Sequence, residues 1–231
     1  MTTSRVFPAP TTMHAAALAI LLETARQLKP WAGQSTLACC FFDLEEPPHF
    51  LRPTMGSSYF VQHCPVDPAQ IKCAIILDLC GHDVPMPGAE NAVFAMGAEF
   101  SKTLAETLAA ANRPEMPVLM ARNDRIGDMS DHHAFRTGGL PFVFLSCGWW
   151  EHYHAPTDTF ERLNLPKMQT LSGVLTDLVR RLDTVTIDRR PPDNFLEIEA
   201  RTFRRLTGME VPADKTALDV AASALFRKMT W

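Results

Sequence analysis

The stretch IKCAIILDL (71–79) is apolar at nearly every position rather than at every second one. A strand that reads this way is covered on both faces, as happens in parallel sheets flanked by helices. STLACCFF (35–42), MPVLMA (116–121) and LPFVFLS (140–146) carry the same character and are expected strands. Between them lie stretches with helical periodicity: 13–29, 55–64, about 88–112 and 165–185. The helix over 13–29 is expected to turn Leu18, Leu21, Leu22, Ala25 and Leu28 to one side. Strands alternating with helices predict an α/β fold, a three-layer sandwich around a mostly parallel central sheet. That domain is expected over 1–187. A polar, proline-containing linker, DRRPPDN (188–194), leads into a C-terminal helical extension with helices at 195–207 and 213–229.

With 231 residues, 46% of them apolar, the chain can bury a substantial core. A net charge of −4, with no Lys/Arg stripe, predicts neither a nucleic acid nor a membrane as partner. The six cysteines form no CxxC pair, and several fall within apolar runs as small hydrophobes, which fits a reducing compartment. MHAAALAILL (13–22) has the length of a signal-peptide core. It continues as ETARQLK with no small-residue cleavage site, so an amphipathic helix and a cytoplasmic location are expected.

In such sheets ligands collect outside the carboxyl ends of the strands. FFDLEEPPHF (41–50) places Glu45 and Glu46 at one such end, and LDLCGHD (77–83) places Asp78, His82 and Asp83 at another. SCGWWEHYHAPTDTF (146–160) brings Tyr153, His154 and Asp158, and SDHHAF (130–135) brings Asp131 and His132. Carboxylates and imidazoles meeting from separate strand ends suit a zinc-type ion, whose charge offsets the cost of adjacent carboxylates. Any one of these motifs alone is equally what a solvated loop carries; their joint occurrence at strand ends is what points to a site. Trp149 and Trp150 either line an apolar pocket beside His154 or support the sheet and loop.

The ordered set FFDLEE, MGSSYFVQH, IKCAIILDLCG, SDHHAF, GLPFVFLSCG and YHAPTDTFERLN resembles metallopeptidase family 28 over roughly 13–185. That family includes zinc aminopeptidases and the related glutaminyl cyclases. The resemblance implies Glu45 as general base, Glu46 and Asp78 as metal ligands and His154 as the closing imidazole ligand. It implies Tyr153 as a hydrogen-bond donor to the oxyanion, with Asp131 and His132 supporting the site. The implied reaction is hydrolysis of a peptide bond beside a free N-terminus, with one or two zinc ions. A Tyr rather than a Trp before the closing His favours the peptidase side over the cyclase side.

The family's earlier His-x-Asp strand end and Asp-bearing turn have no counterpart, since no Asp precedes Asp43. Three accounts stand open. The chain lacks an N-terminal strand region, or it binds a single metal with a substitute ligand drawn from His14, His49 and His82, or it is a non-catalytic relative that binds a protein partner. Missing strands would leave an apolar sheet edge through which copies associate. The segment PPHFLRPT (47–54) is expected as an inserted stiff loop over the site.

Overall fold

The structure, a computed structural model, describes the backbone of residues 12–228 and the side chains of 15–225. Among the described residues four strands, β1 (Ala74–Leu77), β2 (Val93–Met96), β3 (Val118–Met120) and β4 (Phe142–Ser146), form one sheet in the order β1-β4-β2-β3. β1 pairs parallel with β4 and β2 parallel with β3, while β2 and β4 run antiparallel. The architecture is α/β with a mostly parallel sheet between two helical layers, as the apolar runs imply.

The runs are continuously apolar because alternate residues serve different layers. Val93, Ala95, Val118, Met120, Val143 and Leu145 face one side and pack with Leu104, Leu108, Leu171, Leu175 and Leu178. The helices on that side are α1 (Thr12–Gln27), α3 (Lys102–Ala111) and α5 (Leu165–Thr184). Phe142 and Phe144 face the other side, against Ala134 and Phe135 of α4 (His132–Thr137), with Phe60 and Val61 of α2 (Gly56–His63) packed beside them. Leu119 on β3 meets Phe203 and Leu206 of α6 (Phe195–Thr207) and Leu218 and Leu225 of α7 (Lys215–Lys228). No helix among the described residues is long and apolar enough to cross a membrane.

Three sequence expectations are corrected. Residues 35–42 form no strand: the segment has no strand partner among the described residues and is mostly exposed, with Leu37 and Phe41 both turned to solvent. An apolar run becomes a strand only where a neighbour completes its hydrogen bonds, and none of the described residues does so here. The long helix over 88–112 is instead β2, a single 3-10 turn (Ala98–Phe100) and the shorter α3. Four apolar residues in mid-sheet, three of them buried, show no alternation that would separate a strand from a helix. The break falls at Gly97, whose φ of +100° and approach to the Phe142 carbonyl, 2.2 Å from where a Cβ would stand, admit only glycine. Ser101 then starts α3 afresh, its hydroxyl accepting from the Leu104 N–H at 3.1 Å.

In α1 the inward face is Ala16, Ile20, Thr24 and Leu28, while Leu18 and Leu22 point outward. A helix apolar on several sides does not announce which side packs. Here α5 decides it: Thr24 and Gln27 both reach Ser172, and Gln27 accepts from Thr176.

Candidate active site

Two parallel neighbours, β1 and β4, deliver their carboxyl ends side by side. Beyond β1 the Asp78 N–H still donates to the Leu145 carbonyl at 3.2 Å, and the Cys147 N–H donates to Leu79 at 3.0 Å. Asp78 is therefore held by sheet hydrogen bonds on into the loop. Leu79 takes φ +53°, a left-handed conformation costly for a branched-chain residue, which turns the chain sharply after Asp78.

After β4 the chain winds into a tight loop of turns. Tyr153 N–H donates to Trp150, Ala155 N–H to His152 and Asp158 N–H to Ala155, while His152 Nδ1 and Thr157 Oγ1 lie 2.9 Å apart. At its apex His154 also takes a left-handed φ, +53°. Left-handed strain at a non-glycine residue persists only where its surroundings over-determine it, and such sites cluster at ligand clamps.

The Glu45–Glu46 segment is pinned at both ends. The Asp183 carboxylate accepts from the Gln34 and Ser35 N–H groups at 2.8 and 2.7 Å. At the other end Gly56, opening α2, donates its N–H to the Asp43 carbonyl at 3.0 Å. A Cβ on Gly56 would lie 2.6 Å from that oxygen, so only glycine permits the approach. Leu44, at φ +55°, turns the chain between Asp43 and the two glutamates. The inserted segment that follows is a succession of turns: His49 N–H donates to Glu46, Arg52 to His49 and Met55 to Arg52.

These constraints bring Glu46 to His154, with Oε1 and Nε2 3.2 Å apart and both side chains a little under half exposed. The Tyr153 ring packs against the His154 imidazole with centroids 3.9 Å apart. Burial pushes the Tyr153 phenol well above its ordinary value, and the negative charges of Glu46, Asp78 and Glu45 push it the same way. The phenol is thus a neutral hydrogen-bond donor at physiological pH, beside three carboxylates. Three sequence-distant motifs meet here.

The other candidates have separate environments. His132 is fully buried, stacked on Phe144 of β4 at 4.2 Å, with Nε2 3.1 Å from the Gly127 carbonyl. Asp131 stands at the N-terminus of α4. His82 is buried and lies flat against Trp150, centroids 4.6 Å apart, its Nδ1 donating to the Asp83 carbonyl at 2.7 Å. Burial lowers its pKa to about 4, so the ring is neutral. His49 contacts Thr54 at 2.9 Å, and the side chain of His14 lies outside those described. The two tryptophans divide their roles: Trp150 supports the loop through His82, and Trp149 lines a cavity.

That cavity, about 80 Å³, opens beside Asp78 and Tyr153 and is walled by Met96, Phe144, Trp149 and Phe203. Sequence reasoning missed the share taken by α6. The only signal was an apolar stripe through Phe195, Ile198, Phe203 and Leu206, which reads equally as ordinary core.

Residues 14–179 match peptidase family M28. The chain belongs to that family. The M28 chain is 26% identical over 188 residues to the uncharacterized protein YfbL of Escherichia coli K12, a likeness covering 71% of this chain and 57% of YfbL. Among solved structures, the LapA aminopeptidase of Legionella pneumophila superposes with a TM-score of 0.58 at 18% identity, covering 75% of this chain and 46% of LapA. The zinc aminopeptidase BSAP of Bacillus subtilis gives 0.59 at 18% identity, over 76% of this chain and 44% of BSAP. At these identities the structural likeness is one of fold. The chain spans about half the length of these relatives.

A catalytic zinc takes three protein donors and keeps a fourth position open. Among the described residues, no three His, Cys, Asp or Glu side chains are gathered closely enough to hold a metal. Glu46 and His154 make a two-donor edge, and the described side chains alone do not close the set.

Proposed function

We propose that this M28 chain takes part in zinc-dependent, aminopeptidase-type hydrolysis of a peptide or N-terminal amino-acid substrate. The reading is carried by one observation: Glu46 and His154, from distant segments, meet at 3.2 Å beside the half-buried ring of Tyr153. Glu46 and His154 are the two donors this part of the chain contributes to the metal, with Asp78 the carboxylate on the adjoining strand end. A further donor is required, and His14, whose side chain is not among those described, is a candidate. Glu45 is the general base that takes the proton of the attacking water. Tyr153 donates a hydrogen bond to the oxygen on which negative charge develops, a role that needs the phenol protonated.

The test is the zinc content of purified protein together with hydrolysis of aminoacyl p-nitroanilides. Stoichiometric zinc and activity lost in Glu45→Gln support the reading. A metal-free protein that binds no added zinc at neutral pH ends it.

A second reading, a non-catalytic relative that binds a protein partner, is favoured by the extended segment 35–44. Phe41 is 55% exposed and Leu44 48%, on a stretch that pairs with no strand among the described residues. Self-association on size-exclusion chromatography, abolished by Phe41→Lys in a protein without zinc or peptidase activity, is its expected signature.

A further inference from the structure

We propose that the C-terminal helical pair α6–α7, which lies beyond the stretch matching family M28, is a wall of the substrate pocket. On this view it selects a medium-sized apolar side chain in the residue to be released. The inference rests on the aminopeptidase reading and names which part of the chain sets its selectivity.

The cavity beside Asp78 and Tyr153 is where the two parts of the chain meet. One side is built by the sheet and its loops, through Phe144 and Trp149. The opposite side is built by α6 and α7, through Phe203, Leu206 and Leu225. These three side chains are at most 8% exposed, so they are packed residues, yet they leave a void between themselves and the sheet. Protein interiors seldom keep voids larger than a water molecule. At about 80 Å³ this one is several times the minimum that a single water needs, on the order of 10–15 Å³. An apolar cavity with a few polar groups at one end is the usual form of a ligand pocket. Here the polar lining includes Asp78 and Tyr153, the groups closest to the proposed chemistry.

The wall is held in place by buried charge. Glu199 on α6 is fully buried and accepts from the Arg122 backbone N–H, the Arg122 Nε and both Nε and Nη2 of Arg125, all at 2.9–3.0 Å. Asp219 on α7 accepts from the same two arginines at 3.0 and 2.6 Å. Thr202 donates to the Met120 carbonyl at 2.8 Å, tying α6 to the end of β3. The Arg125 guanidinium lies 5.7 Å from the Phe203 ring centroid and fixes that ring from behind. Arg125 also lines the cavity, but its charge is committed to Glu199 and Asp219. Among the described residues, therefore, the pocket offers no free cation to an acidic side chain, and its volume suits a branched four-carbon group better than an indole.

Two measurements test this on the full chain. Binding of 3-methylbutylamine and 2-phenylethylamine is followed by calorimetry in metal-free protein, and hydrolysis of leucine and phenylalanine p-nitroanilides is followed in zinc-loaded protein. Wild type is expected to prefer the smaller amine. Phe203→Leu and Leu225→Ala are each expected to shift the phenyl-to-isobutyl preference at least tenfold toward the larger group. Phe203→Leu is the conservative variant should the truncation at Leu225 impair folding, and near-ultraviolet circular dichroism checks both. Amine selectivity without any hydrolysis leaves the pocket standing and overturns only the peptidase reading. Failure of wild type to bind either amine, or an unchanged order in both folded variants, overturns the proposal.

Discussion

His154 Nε2 stands 3.2 Å from Glu46 Oε1, so a residue at the strained apex of one loop touches the second of two adjacent carboxylates at the end of another segment. Because both side chains are nearly half exposed, the contact is worth little as an ion pair, within about 1 kcal/mol. His154→Ala and Glu46→Gln are expected to leave the melting temperature almost unchanged. Zinc affinity, measured by competition with a chromophoric chelator, is expected to fall by more than about tenfold, the least effect seen on disturbing a metal's surroundings. Unchanged affinity in both variants removes these residues from any metal site.

Glu45 is assigned the proton-transfer step and no part in holding the metal. Glu45→Gln keeps the shape and removes the base, so kcat is expected to drop by about 10²–10⁴ with KM and zinc content little altered. Full activity in this variant excludes Glu45 as base.

Glu199 is a fully buried carboxylate facing two arginines. Glu199→Ala takes from both arginines their one fully buried partner, leaving them the more exposed Asp219, and is expected to cost about 3 kcal/mol in a denaturant titration. Asp219, 41% exposed and also bridged to Lys215, is a rim member of the same cluster, and Asp219→Asn is expected to cost within about 1 kcal/mol. Equal effects of the two substitutions contradict this division.

His132 makes the fold sensitive to acid. Burial first, offset in part by its contact with the Gly127 carbonyl, lowers its pKa from the usual 6.5 to about 4. The unfolded chain therefore binds the proton more readily between those values. The stability is fully present above pH 6.5 and is lost as pH falls through about 4, by as much as roughly 3 kcal/mol. Melting temperatures between pH 7.5 and 4.5 are expected to fall less steeply in His132→Phe. A parallel decline in the two proteins assigns the acid sensitivity elsewhere.

The layered fold was legible because its cause is local. Residues 74–77 and 142–146 are apolar without alternation, and that composition is tolerable only in a strand covered on both faces. The same rule misled at 35–42, where the composition is right but no neighbouring strand among the described residues supplies hydrogen bonds. At 93–96, where four residues are too few to reveal a period, the stretch was read as part of a helix and is a strand. In the site, Asp78, Tyr153 and His154 stood out as polar residues after strands, and Glu45 and Glu46 as polar residues after an apolar run that is not a strand.

By itself, the order of residues determined the alternation of strands and helices, the family pattern and the polar groups at the strand ends, because each depends on neighbours within a few positions. Only the tertiary structure decided that Glu46 meets His154, that Trp149 and Trp150 part company, and that α6 and α7 wall the cavity beside Asp78. Those contacts join segments far apart in the chain. They are set by sheet register, by left-handed turns at Leu44, Leu79 and His154, and by a buried charge cluster.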